Sequence, residues 1–382
     1  MKKIIYLCYL PLTDKREKDF YIPDLLKSGF LIEYWDITDI YFRHMTFSGS
    51  ISRDYQKKIV NLQEFEDCLG KEDQKNVVFV PIITYAWKVL RLFRLLSKYG
   101  FTTYFFDRGR LPYSSKRRST LTRLAGRVRY LSNPGNLYAS VTHALAVNAK
   151  KINYIKEYDG VFSAGPVTKN DYGQSTRIIP INYFDYDEYL SARDDHRRLL
   201  KDEYCVFIDD NLAYDTDFKM FNKQSVDPSR YYKTLNVFFE LVEAKYRLKV
   251  VIAAHPKSDY SGSVFNNREI RRFETNELVR DCSFAIAHYS TAVAFAVLYK
   301  KPCIFVYTDE MKKLPYFKVI EAYASILNCS LCNISSLSNG SEIVLKNTDY
   351  QKYEAYKYTY LTSKGTESIL TRDIVIQAFG SL

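Results

Sequence analysis

Nowhere in the chain does an uninterrupted apolar stretch of about 18 residues occur, so no segment of the sequence is built to span a bilayer. Cysteine is sparse. The seven are odd in number and scattered, and Cys205, Cys282 and Cys303 lie in or beside apolar strand-like runs, a usage that suits free thiols in a reducing cytoplasm. The single CxxC, Cys329 and Cys332, has no second pair and no nearby His, which sets an ordinary loop ahead of zinc or redox chemistry. Internal repeats and low-complexity tracts are missing too. Met1-Lys2-Lys3 followed by apolar residues 4–12 imitates a signal peptide, but there is no small-residue cleavage site and the run ends in Asp14-Lys15-Arg16-Glu17-Lys18-Asp19. The expectation is a first strand in a cytoplasmic protein.

Acidic side chains are absent between Arg108 and Lys156, and there the net charge of +11 is concentrated. Arg108, Arg110, Lys116, Arg117, Arg118, Arg123, Arg127 and Arg129 share that stretch with Leu121, Leu124, Val128 and Leu131 at helical spacing. Three readings compete for residues 108–131: a solvated basic helix, an element that lies on an anionic membrane surface, and a nucleic-acid contact. No helix-turn-helix, zinc-finger, RNA-recognition or KH signature accompanies the charge, so nucleic acid is the weakest and is not expected as a partner. Peripheral attachment to an inner membrane is the location that the second reading implies.

What is present is globular. With 382 residues the chain is too long for one ordinary core and fits two domains of roughly 150 to 200 residues. Hydrophobic content of 47% against 26% charged residues excludes long disorder. Thirty-four Tyr and 24 Phe stand out. Codon bias of an AT-rich genome explains them, and so does the use of Tyr as an amphipathic contact residue.

Strand-like runs at 3–9, 76–81, 102–106 and 160–162, each followed by a turn or a helix-compatible stretch such as 85–99, predict an α/β domain over 1–195. Residues 177–182, the acidic and tyrosine-rich 183–190 and the charged 193–203 read as its last element and a linker. A second α/β domain over 196–382 follows from strands at 204–208, 248–254, 283–287 and 303–307 alternating with helices at 231–245, 274–280 and 292–299. Both are expected to be Rossmann-like, with ligands outside the carboxyl ends of the strands.

Two strand ends in that second domain carry the chemistry. Val250-Val251-Ile252-Ala253-Ala254 stops at His255-Pro256-Lys257, and the run from Ser283 stops at His288-Tyr289-Ser290-Thr291. Ser290 and Thr291 precede a predicted helix, so their hydroxyls and the first helical N–H groups suit a monophosphate. An ordinary N-cap uses the same residues. His255 and His288, two of five histidines in the chain, are read as ending neighbouring strands and converging on the same anion. Lys257 adds a cation, and Asp209 and Asp210 close the strand 204–208.

His255-Pro256 at one strand end and Ser290-Thr291 at the next, ahead of Lys300-Lys301-Pro302-Cys303-Ile304-Phe305-Val306, resemble the HP and S(S/T) motifs of bacterial GT-B glycosyltransferases that use CMP-activated sugars, the sialyl-, nonulosonate- and Kdo-transferases. The resemblance covers mainly residues 204–310. It implies two Rossmann-like domains facing across a cleft, a nucleotide-sugar donor and a glycan or lipid-linked glycan acceptor. It implies transfer of an acidic sugar such as sialic, pseudaminic or legionaminic acid, or Kdo, in capsule or lipopolysaccharide synthesis.

Such a reaction leaves a nucleoside monophosphate. Charge growing on that phosphate would be met by His255, Ser290, Thr291 and Lys257, with His288, Asp209 and Asp210 also on the donor side. No metal or other cofactor is expected, although Asp215-Thr216-Asp217 and Asp185-Tyr186-Asp187 match a DxD pattern. The acceptor's base is expected from the first domain. Asp107 ends a predicted strand there, and relatives carry an acidic motif ending in Gly, whose middle position here is Arg108. Asp209 and Asp210 compete with Asp107 for the role. Two other classes stay open: a glycerol- or ribitol-phosphate transferase using a CDP donor, and a non-catalytic membrane-docking scaffold.

Overall fold

The computed structural model describes residues 2–47, 49–83, 85–107, 111–112, 134–165, 169–214, 225–260, 264–337 and 339–382. The described chain forms two compact units, one holding residues up to Asp107, 134–181 and 369–382, the other holding residues 111–112 and the stretch from Asn182 to Ser368. The change of unit thus falls ahead of the expected boundary at 195. Its cause is local. Residues 183–190, expected as a linker, belong to the helix Phe184–Ala192, which buries Tyr186 and packs against the helices Thr275–Asp281 and Val293–Leu298 of the second unit. The last helix, Thr371–Gly380, returns to the first unit, where Phe379 meets the rings of Tyr104 and Phe162.

In the first unit β1 (Lys3–Cys8), β2 (Leu31–Asp36), β3 (Gln56–Lys58), β4 (Val77–Ile82), β5 (Thr102–Asp107), β6 (Gly160–Ala164) and β7 (Arg177–Ile181) form one sheet in the order β3-β2-β1-β4-β5-β6-β7. In the second, β8 (Tyr204–Ile208), β9 (Lys249–Ala254), β10 (Ile270–Arg272), β11 (Ala285–Ala287), β12 (Cys303–Tyr307) and β13 (Ser330–Asn333) follow the order β10-β9-β8-β11-β12-β13. Every pair is parallel. Parallel neighbours need crossover connections, and the intervening helices supply them on both faces. Central strands covered on both sides therefore read as continuous apolar runs: Ile4 to Leu7 in β1 and Cys205 to Phe207 in β8 are fully buried.

Both units wind from the middle of the sheet to one edge and then jump back, which puts a topological switch point between β1 and β4 and another between β8 and β11. This corrects one expectation. The strands that deliver His255 and His288 are not neighbours, because β8 lies between β9 and β11. The first core is aromatic, with Trp35 edge-on to Phe65 and Phe79 at 5.8 and 5.3 Å. Among the described residues no helix is long and apolar enough to cross a membrane.

Candidate functional site

The carboxyl end of β8 is held by two buried acids. Asp209 is 2% exposed and accepts three hydrogen bonds: from Asn211 N–H to Oδ1 at 3.0 Å, from the Tyr260 hydroxyl to Oδ2 at 2.6 Å and from His255 N–H to Oδ2 at 3.2 Å. Burial pushes its carboxyl above the ordinary range, against the pull of those donors. Asn211 takes the left-handed conformation at φ 51, which Asn tolerates in such a turn. Asp210 reaches the other way and accepts Tyr289 N–H at 3.2 Å. The pair thus ties the turn after β9 and the turn after β11 to the strand between them.

His255 opens the first of those turns. Its carbonyl accepts both the N–H and the hydroxyl of Ser258, at 2.8 and 2.6 Å, and its ring Nδ1 accepts Lys257 N–H at 3.1 Å. An accepting Nδ1 carries no proton, so the imidazole is neutral here and its proton sits on Nε2, as a donor. Lys257 lies exposed on the same turn.

The second turn departs from expectation. The helix behind it is six residues, Val293–Leu298, wholly buried, with Ala292 at its N-cap and no side-chain cap. Ser290 Oγ accepts Ala292 N–H at 3.3 Å, an arrangement in which the hydroxyl proton points elsewhere and can be donated. The Thr291 hydroxyl lies beside the phenol of Tyr183, whose titration burial pushes up. Ser290 and Thr291 are both half-buried.

His288 is a correction. It is fully buried, its Nδ1 lies 2.6 Å from the Val306 carbonyl and its Nε2 2.9 Å from the Tyr231 hydroxyl. A carbonyl only accepts, so Nδ1 carries the proton and Nε2 accepts from Tyr231. Burial lowers its pKa to about 4. With both nitrogens engaged inside the core it cannot donate to a phosphate; it packs edge-on against Phe207 at 5.4 Å and braces β11.

Asp107 stands in the other unit. It closes β5, half-buried and in register with Ser163 of β6. Within the second unit, then, the structure gathers His255, Lys257, Asp209, Asp210, Ser290 and Thr291 at one sheet edge and removes His288 from it. Sequence reasoning missed Tyr260, Tyr231 and Tyr183. Their only advance signal is the abundance of Tyr, which marks no position.

Asp185 and Asp187 fall in the first turn of the helix Phe184–Ala192, and residues two apart on a helix face different sides. This DxD forms no paired strand-end ligand. Asp215-Thr216-Asp217 and most of the basic block 108–131 lie outside the described residues. Among those described, no three His, Cys, Asp or Glu side chains form a group able to hold a metal ion. All seven cysteines are buried free thiols, and the sulfur of Cys329 faces Tyr353 Oη at 3.4 Å.

No protein-family model matches the sequence, and comparison with curated proteins finds no match. Solved structures do resemble the chain. Phytolacca americana UGT2, complexed with UDP-2fluoro-glucose and pterostilbene, aligns over 100% of both chains at 9% identity with a TM-score of 0.54. The glycotransferase of kitacinnamycin aligns over 98% of both chains at 12% identity with a TM-score of 0.51. With its two parallel-sheet units, the chain has the GT-B fold.

Proposed function

We propose that the chain is a glycosyltransferase that moves a CMP-activated acidic sugar, a nonulosonate or Kdo, to a surface-glycan acceptor without a metal ion. The observation that carries this reading is the Asp209–Asp210 pair, which hangs the His255 turn and the Tyr289–Ser290 turn on the strand between them. Nε2–H of His255 and the Ser290 hydroxyl are then donors on either side of β8, at the switch point where a nucleotide phosphate is expected. As the glycosidic C–O bond of the donor breaks, its electron pair stays on the phosphate oxygen of CMP, and these donors stabilise the growing charge. Lys257 adds charge from the exposed turn. The acceptor oxygen forms the new bond to the sugar, and Asp107 takes its proton. The basic block 108–131 is assigned to an anionic membrane surface that carries the acceptor.

The plant neighbour holds a uridine diphosphate sugar, so UDP is the competitor that CMP must beat. Thermal-shift and calorimetric titrations with CMP, CDP and UDP test the reading. CMP is expected to bind most tightly, with chelator making no difference. A preference for UDP overturns the CMP donor, a preference for CDP points to a phosphotransferase, and silence with all three removes the transferase reading.

A further inference from the structure

A cavity of about 540 Å³ opens in the first unit at the carboxyl edge of β1, β2 and β3. Asp36, which closes β2, stands in its wall at 5% exposure. Oδ1 of Asp36 accepts the N–H and hydroxyl of Thr38, and Oδ2 accepts the Gln56 amide at 3.3 Å. Met45, Phe47 and Ile51 add apolar surface to its lining.

The chemistry of the cavity separates ligands by charge. The turn that follows β1, residues 9–13, contains no glycine to let a phosphate approach the backbone, and the first turn of the helix behind it, Asp14-Lys15-Arg16-Glu17, balances its own charges. A helix start without net positive charge or a glycine cradle does not draw a phosphate. The cations in the cavity already have carboxylate partners: Arg53 binds Glu17 at 2.9 Å and Lys58 binds Asp39 at 3.0 Å. Thr38 fills Oδ1 of Asp36, and Oδ2, with Gln56 as its one partner among the described residues, is placed at the end of the second strand to accept a sugar hydroxyl. Without a phosphate cradle beside it, that hydroxyl belongs to an uncharged sugar, whose apolar ring face suits Met45 and Phe47.

Position then sets the size of the ligand. Asp36 ends β2 and Asp107 ends β5 on the same edge of a parallel sheet, with β1 and β4 between them. Three strand spacings separate them, about 14 Å, more than a single sugar ring spans. We propose that this cavity holds a distal, uncharged sugar of an oligosaccharide acceptor whose reacting hydroxyl lies at Asp107, so that the acceptor is a glycan chain and not a single sugar. The proposal rests on the transferase reading and on Asp107 as its base.

Calorimetry on the full chain saturated with CMP tests it, using gluco-, galacto- and N-acetylglucosamine oligosaccharides from the single sugar to the hexasaccharide. In at least one series affinity is expected to rise roughly ten-fold with length, about 1.4 kcal/mol, and Asp36→Asn and Phe47→Ala are each expected to flatten that rise. Phe47 sits half-buried on a loop, so its variant keeps the test decisive if Asp36→Asn fails to fold. A flat profile in the unaltered chain, no glycan binding in any series, or a rise that survives Phe47→Ala overturns the proposal. CMP titrated into separate CMP-free samples of the same chains separates the two failures: CMP binding with a flat glycan profile removes only the distal subsite, whereas no CMP binding by the unaltered chain removes the transferase reading and this inference with it.

Discussion

Oδ2 of Asp209 accepts the backbone N–H of His255 at 3.2 Å, so the first residue after β8 fixes the start of the turn that follows β9. The same oxygen takes the Tyr260 hydroxyl at 2.6 Å, which makes the carboxylate a rigid support for the imidazole. Asp209→Asn replaces an acceptor-only group by one that can present N–H to N–H. Hydrogen bonds to a charged group contribute about 1.5–3 kcal/mol, and a loosened His255 turn is expected to weaken CMP binding by roughly ten-fold or more. Calorimetry on a variant shown by circular dichroism to be folded decides this; unchanged affinity would remove Asp209 from the account.

Tyr231→Phe is a stability change and not a binding one. It deletes the hydroxyl that donates to Nε2 of the fully buried His288 and leaves an acceptor unsatisfied in the core. The expected cost is about 1–3 kcal/mol, read as a shift in the urea midpoint. CMP affinity per folded molecule should stay as it was.

The same histidine makes stability depend on pH. Its pKa falls from the ordinary 6.5 to about 4 on burial, so between those values the unfolded chain binds a proton that the native one does not. The stability it contributes is full above pH 6.5 and is lost as pH falls toward 4, on the order of 3 kcal/mol in all. Unfolding curves of the natural chain and of His288→Gln, compared from pH 7 to 4, should converge as the pH drops. A difference that stays constant across the range would contradict the assignment of a neutral, buried imidazole.

Much of this arrangement was legible in the sequence. β1, β4, β5, β8, β9 and β12 are apolar runs because both faces of a parallel sheet are covered, and the pattern showed where each ends. β3, β10 and β13 sit at sheet edges, where half the pairing is missing and Gln56-Lys57-Lys58 or Ile270-Arg271-Arg272 suffices; such short polar strands carry no periodic signal. β2 was missed although it is interior, because Glu33 and Asp36 interrupt its apolar residues. Strand order is a property of the crossovers and not of any local pattern, so β9 and β11 read as neighbours when β8 parts them. His288 illustrates the same limit: a histidine at a strand end looks alike from the sequence whether it faces a ligand or the core, and only Tyr231 and the Val306 carbonyl decide it.

Close packing in the first unit gives a further check. A Cβ added to Gly160 would lie 2.1 Å from Cε1 of Tyr104, its register partner on β5. The ring is itself wedged against Phe162 and Phe379. Gly160→Ala is therefore expected to destabilise the unit by about 1–3 kcal/mol through overpacking, seen as a lower thermal midpoint. A midpoint equal to that of the natural chain would show that Tyr104 moves aside at no cost.

The central claim is that His255 and Ser290, on opposite sides of β8, close on one nucleotide phosphate. A crystal structure of the chain soaked with CMP tests it most directly. The account predicts the phosphate within hydrogen-bonding distance of both Nε2 of His255 and Oγ of Ser290. A phosphate bound elsewhere, or touching neither group, would contradict it.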